Sequence, residues 1–144
     1  MENHRPSLRT KTVLVVDDDL AVRVVVARML QDEGYAVRMA PSAPAALLML
    51  AAAPGVVDLI VADVRMRDMN GLELAVEVRR SWPEMPIGLM SGHLPEELES
   101  THRGLAGLPF LRKPFGPAAL IELVDALAAG AGLAPADIAF AGGP

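Results

Sequence analysis

An α/β fold, with a parallel sheet covered by helices on both faces, is what this sequence predicts, on two observations. Short runs rich in Val, Ile and Leu alternate along the chain with longer stretches of helical periodicity. Each pair of successive strands is thus separated by a helix, and a right-handed crossover of that kind must pack back onto the sheet it left. The first strand is expected near 12–16, where Val13, Leu14, Val15 and Val16 form a β-branched and aliphatic block. A helix follows near 19–33, carried by Val22, Val25, Val26, Met29 and Leu30 at helical spacing and stopped by Gly34. The second strand is expected near 36–40 and a helix near 42–53; the third strand, near 57–62, takes in Leu59-Ile60-Val61-Ala62 and precedes a helix near 71–81. Strands near 86–90 and 108–111 then lead to helices near 94–103 and 116–129.

At 144 residues the chain is long enough to bury a core without staples, and it contains no Cys, which fits a reducing cytoplasm. The opening Met-Glu-Asn-His-Arg-Pro-Ser lacks the pattern of a signal peptide, and the longest apolar stretch, Ala45 to Val57, is broken by Pro54 and Gly55, so no membrane span is expected. A net charge of −5 with scattered arginines argues against a non-specific nucleic-acid binder. Residues 1–11 read as a loose polar segment, 12–129 as one domain, and 130–144 as an Ala-, Gly- and Pro-rich tail, either disordered or docked as one short piece. No repeat or linker divides the chain, so no attached DNA-binding or catalytic output unit is expected.

In parallel sheets of this kind ligands sit at the carboxyl ends of the strands, so chemistry is expected there. Asp17, Asp18 and Asp19 follow the first strand directly. Adjacent carboxylates repel by about 4 kcal/mol per pair at roughly 4 Å in a surface-like dielectric, which calls for a cation, and Mg²⁺ fits best. Alternatively Asp18 and Asp19 only cap the helix that follows. Asp63 comes after the third strand, Ser91-Gly92 after the fourth and Lys113-Pro114-Phe115 after the fifth. Each alone has an ordinary use: a turn cap, loop chemistry, a solvated charge. Together at four strand ends they are the parts for phosphoryl transfer: an aspartate nucleophile, carboxylates for a metal, and Lys113 with Ser91 for the oxygens of the transferring group.

Val15-Val16-Asp17-Asp18, Asp58 to Asp63 followed by Met66, Met69 and Gly71, Met90-Ser91-Gly92-His93, and Phe110 to Phe115 carry a family likeness. In this order and spacing the chain resembles, over residues 12–129, the receiver domains of bacterial response regulators. The resemblance implies a flavodoxin-like, doubly wound sheet of about five parallel strands in the order 2-1-3-4-5. It implies that Asp63 accepts a phosphoryl group from a phosphohistidine on a partner histidine kinase or histidine phosphotransfer domain. Asp17, Asp18, Asp63 and the backbone carbonyl of Arg65 would place Mg²⁺, leaving Asp19 spare at the start of the first helix. Ser91 would turn toward the phosphoryl group and Phe110 would move inward with it. Phe110 has no hydroxyl, so that movement would rest on packing alone; the other reading makes it a permanent core side chain. Lys113-Pro114 matches a position where the family has a cis peptide bond. Such a domain is no enzyme beyond assisting its own phosphorylation and dephosphorylation. It would signal through protein contacts, as a monomer or as a homodimer through 94–129, and the Ser91-Gly92-His93 and Phe110-to-Phe115 segments look more like receivers attached to hybrid kinases than like motor regulators.

The chain departs from the family pattern where Asp-x-x-Met-Pro is usual, because Arg67 replaces the Pro. Arg67, and Arg65 with it, would set positive charge near Asp63 and alter acyl-phosphate lifetime or partner choice. His93 lies two residues beyond Ser91, beside the path of an attacking water or simply on the rim. Leu20 and Val24, one turn apart outside the expected buried set, would form an apolar strip for partner docking. The rival from the enzyme class is a haloacid-dehalogenase-type phosphatase, whose Asp-x-Asp would be Asp17 and Asp19. It needs its nucleophile on the first strand and leaves Asp63 without a role.

Overall fold

The computed structural model describes residues 11–92 and 108–130. The expected helix near 94–103, His93, residues 1–10 and the tail beyond Gly130 lie outside the described residues. Strands β1 (Thr12–Val16), β2 (Ala36–Ala40), β3 (Leu59–Asp63), β4 (Ile87–Ser91) and β5 (Phe110–Arg112) form one sheet in the order β2-β1-β3-β4-β5, every pair parallel. Helices α1 (Leu20–Asp32), α2 (Ala43–Ala52), α3 (Gly71–Ser81) and α4 (Pro117–Ala128) connect and cover it.

Alternation along each strand divides the core into two layers. Val13 and Val15 of β1, Leu59 and Val61 of β3, Met90 of β4 and Leu111 of β5 pack with Val26 and Leu30 of α1 and Leu120, Leu123, Val124 and Leu127 of α4. Leu14, Val16, Ile60, Ala62, Leu89 and Phe110 point the other way, onto Ala46 and Leu50 of α2 and Leu72, Ala75 and Val78 of α3. A sheet buried on both faces has no solvent side for polar residues to occupy, which is why its strands read as continuous apolar runs. Gly88 keeps β4 close to α4: a Cβ there would meet the Leu127 and Leu123 side chains at 3.1 and 3.3 Å. The Tyr35 hydroxyl donates to Asp125 and ties the start of β2 to α4 on the same side.

Three strands begin later than their apolar runs. β3 starts at Leu59 rather than near Val57; just before it, the Asp58 N–H donates to the Thr12 carbonyl at 2.9 Å and the Asp58 carboxylate accepts from the Thr12 N–H at 2.8 Å. Pro86 and Pro109 have no N–H to give to a ladder, and β4 and β5 start just after them. At the other end the ladder runs on, with the Val64 N–H donating to the Met90 carbonyl at 2.9 Å and the Lys113 N–H to the Ser91 carbonyl at 2.8 Å. Asp63 and Ser91 are therefore the last residues of their strands, not the first residues past them.

Helix α1 corrects one expected core position. Val25 is 52% exposed, and Ala27 takes its place in the buried face with Val26 and Leu30. At about 100° per residue, Val26, Leu30, Arg23 and Ala27 share one arc, and Val25 lies about 100° beyond its nearer edge. Asp19 caps the helix, accepting from the Ala21 and Val22 N–H groups at 2.9 and 3.3 Å, and Gly34 at φ 102° ends it. Asn70 and Glu73 form a capping box at the start of α3.

Gly71, the first residue of α3, lies against the backbone of Asp63. A Cβ there would sit 2.4 Å from the Asp63 carbonyl oxygen and 3.0 Å from the Val64 Cα, and the Gly71 N–H donates to the Val64 carbonyl at 2.9 Å. Backbone cannot swing away as a side chain can, so Gly71→Ala is expected to cost about 1–3 kcal/mol of stability, read from the shift of the urea unfolding midpoint.

Candidate functional site

The carboxyl ends of β1, β3, β4 and β5 meet at one edge of the sheet, where α1 and α3 leave on opposite faces and open a crevice. Asp17 follows β1, Asp63 closes β3, Ser91 closes β4 and Lys113 follows β5. Asp17, Asp63 and Ser91 are buried, Asp18 is exposed and Lys113 is half-buried. The residues expected to act together from four strand ends are thus brought to one place.

Asp17 is held at three points. Its N–H donates to the Ala40 carbonyl at 3.2 Å, its carbonyl accepts from Arg23 Nη1 at 2.7 Å, and its Oδ1 accepts from the Asp19 N–H at 2.9 Å. Its Oδ2 is buried without a hydrogen-bond partner, 3.5 Å from Lys113 Nζ. Lys113 Nζ instead donates to Asp63 Oδ1 at 2.9 Å. Burial pushes the Asp63 carboxyl above its ordinary range; the Lys113 hydrogen bond and charge oppose this, while Asp17 and Asp18 add to it. For Lys113, burial works against the charge, but the bond to Asp63 and the negative charges of Asp63 and Asp17 outweigh it and hold the ammonium above its usual range.

One oxygen each from Asp17, Asp18 and Asp63 lie within 4.8 Å of one another. The donors are all hard carboxylate oxygens, and an unsatisfied buried acceptor costs on the order of 1–3 kcal/mol, more when charged. With Asp17 Oδ2 buried and lacking a hydrogen bond, the group therefore suits Mg²⁺ or a similar hard cation.

The remaining expected residues divide. The Lys113–Pro114 peptide is cis. Phe110 is 2% exposed, its ring inside the α2–α3 layer, so the side chain stands inward. Arg65 and Arg67 are exposed on the loop after Asp63, whereas Met66 and Met69 rest against the core. Asp19 spends its carboxylate on the α1 cap and Asp17 is bound differently, so the two do not act as an Asp-x-Asp pair. Arg23 was not among the expected site residues. Its only signal is position: an arginine one turn past the capping Asp19, whose side chain is tilted back toward the helix start.

The chain belongs to the response regulator receiver family: the family model described as "Response regulator receiver domain" matches residues 13–125. Among similar proteins, the transcriptional regulatory protein FixJ of Azorhizobium caulinodans is 41% identical over 116 residues, 79% of this chain and 53% of that protein. The transcriptional regulatory protein GlrR of Escherichia coli K12 is 32% identical over 125 residues, 85% of this chain and 26% of that protein. The chain thus spans about half of one relative's length and about a quarter of the other's. A solved response regulator receiver protein from Sinorhizobium medicae WSM419 superposes with a TM-score of 0.74 at 32% identity, covering 85% of this chain and 97% of that one. Phosphorylation and Mg²⁺ are typical of the family. The domain is a phosphorelay receiver and not a dehalogenase-type phosphatase.

Because folding raises the Asp63 pKa, the folded chain binds more protons than the unfolded chain between the ordinary carboxylate pKa and the raised value. Stability accordingly falls as pH rises through that interval. Asp63→Asn removes this loss, so in the presence of a chelator it is expected to melt above the parent on the alkaline side of the interval. The difference should vanish as pH drops below the ordinary carboxylate range; thermal melts across pH check it.

Proposed function

We propose that Asp63 is the phosphoacceptor of this receiver and that a histidine kinase or histidine phosphotransfer domain of a cytoplasmic relay is its donor. A carboxylate oxygen of Asp63 attacks the phosphorus of the donor's phosphoimidazole, the O–P bond forms as the P–N bond breaks, and the electron pair returns to the imidazole nitrogen, which takes up a proton. Asp17, Asp18 and Asp63, with the main-chain carbonyl of Arg65, would hold Mg²⁺. When bound, the ion supplies positive charge for the oxygens of the transferring group. Lys113 exchanges its bond to Asp63 for one to a phosphoryl oxygen, and the Ser91 hydroxyl binds another. Ser91 and Phe110 then form the switch that changes protein contacts. The observation that carries this reading is the Lys113 ammonium 2.9 Å from Asp63 Oδ1, beside the unpartnered Asp17 oxygen. Among the described residues no helix is long and apolar enough to cross a membrane.

Incubation with a small-molecule phosphodonor and Mg²⁺, followed by mass spectrometry, tests the reading. A single phosphoryl group on Asp63 is expected, absent with chelator and absent in Asp63→Asn; Lys113→Ala should slow labelling by about a hundredfold or more. Label on Asp17 or on any hydroxyl would overturn it.

Leu20 and Val24 are 63% and 47% exposed on α1, as expected of a docking strip beside the site. Changing both to Ser should slow transfer from the phosphorylated histidine partner by roughly tenfold while labelling by the small donor stays intact. Equal loss of both would count against docking.

A further inference from the structure

We propose that Arg23 is a positioning residue for the metal site, aiming the Asp17 carboxylate into the acidic cluster; this rests on the reading that Asp17, Asp18 and Asp63 bind Mg²⁺. Arg23 is the fourth residue of α1, a helix with no acidic side chain in its first turn. A cation near a helix N-terminus opposes the macrodipole, so the helix itself gains nothing from an arginine there. The side chain instead turns back and donates through Nη1 to the Asp17 carbonyl at 2.7 Å, across six residues. Its own N–H donates to the Asp19 carbonyl at 3.0 Å, while the Asp19 N–H donates to Asp17 Oδ1 at 2.9 Å and the Asp19 carboxylate caps the helix. Asp17, Asp19 and Arg23 thus form a closed clamp of hydrogen bonds between the end of β1 and the first turn of α1.

The clamp uses the Asp17 carbonyl and Oδ1 and leaves Oδ2 without a hydrogen bond, 3.5 Å from the Lys113 Nζ that binds Asp63, while one Asp17 carboxylate oxygen lies within 4.8 Å of one each from Asp18 and Asp63. Groups that orient a metal ligand without touching the metal commonly change affinity by about 10–100-fold when removed. A through-space effect would run the other way, since deleting a positive charge near the cluster favours a cation. The two accounts of Arg23 therefore differ in sign.

The test measures Mg²⁺ dissociation constants by calorimetry on the parent, Arg23→Met, Arg23→Lys and Asp17→Asn, with urea unfolding in chelator as a separate readout of stability. Arg23→Met is expected to bind Mg²⁺ at least about tenfold more weakly, and Arg23→Lys, which keeps a charged donor, to recover most of the affinity. Should Arg23→Met lose its circular dichroism signal, Arg23→Gln carries the same expectation. Binding by Arg23→Met or Arg23→Gln as tight as the parent's, or tighter, overturns the positioning role. Unchanged binding in Asp17→Asn overturns instead the metal reading beneath it, so the two failures are told apart.

Discussion

Lys113 is the hinge of this domain's electrostatics. It reaches across from β5 to lie 2.9 Å from Asp63 and 3.5 Å from Asp17, the carboxylates that end β3 and follow β1. Three acidic side chains share the crevice, and each close pair repels by about 4 kcal/mol at an intermediate dielectric. One ammonium cannot balance three carboxylates; the Asp63 pKa is raised chiefly by burial, against the Lys113 bond and charge, with Asp17 and Asp18 adding to it. The arrangement is poor for stability alone and good for a site that recruits positive charge and then a phosphoryl group. Local rules broken at one place, while every other level agrees, mark a functional site.

The rest of the fold exists to hold those ends in register. Ala62 pairs with Val16 and with Leu89, and Asp63 pairs with Met90, so the acids and Ser91 are fixed by ladders buried on both faces. Gly71 lets α3 start directly against the Asp63 backbone, which closes the crevice on one side. The Arg23 clamp closes it on the other, and the site is bounded by two helix starts of opposite face.

Much of this could be read in the sequence because its causes are local or periodic. Strand–helix alternation names the fold, and the family motifs give the sheet order and the four strand ends. What the sequence did not yield depends on partners distant in the chain. Asp63 belongs to β3 because Met90 continues the ladder beside it, while Asp58, just before the strand, receives the Thr12 N–H on its carboxylate where a ladder would use a carbonyl. Val25 was expected to be buried because Val24-Val25-Val26 carries no period of its own. The buried side chains are Val26, Ala27 and Leu30, and Arg23 on the same arc turns back to the Asp17 carbonyl. Arg23 carries no sequence motif for the same reason: its role depends on where α1 begins relative to the end of β1.

Phe110 shows how the packing bears on switching. It pairs with Leu89 across β4 and β5, and Ser91, two residues on, shares the face of Leu89. A Tyr at this position would be drawn outward by its hydroxyl; a Phe has no such pull, and its ring is 2% exposed. The ring stands inward in this structure, so any movement it makes in the proposed switch rests on packing alone. In the proposed switch a movement of Ser91 therefore reaches Phe110 through the paired β4 and β5, and the ring answers by repacking within its layer.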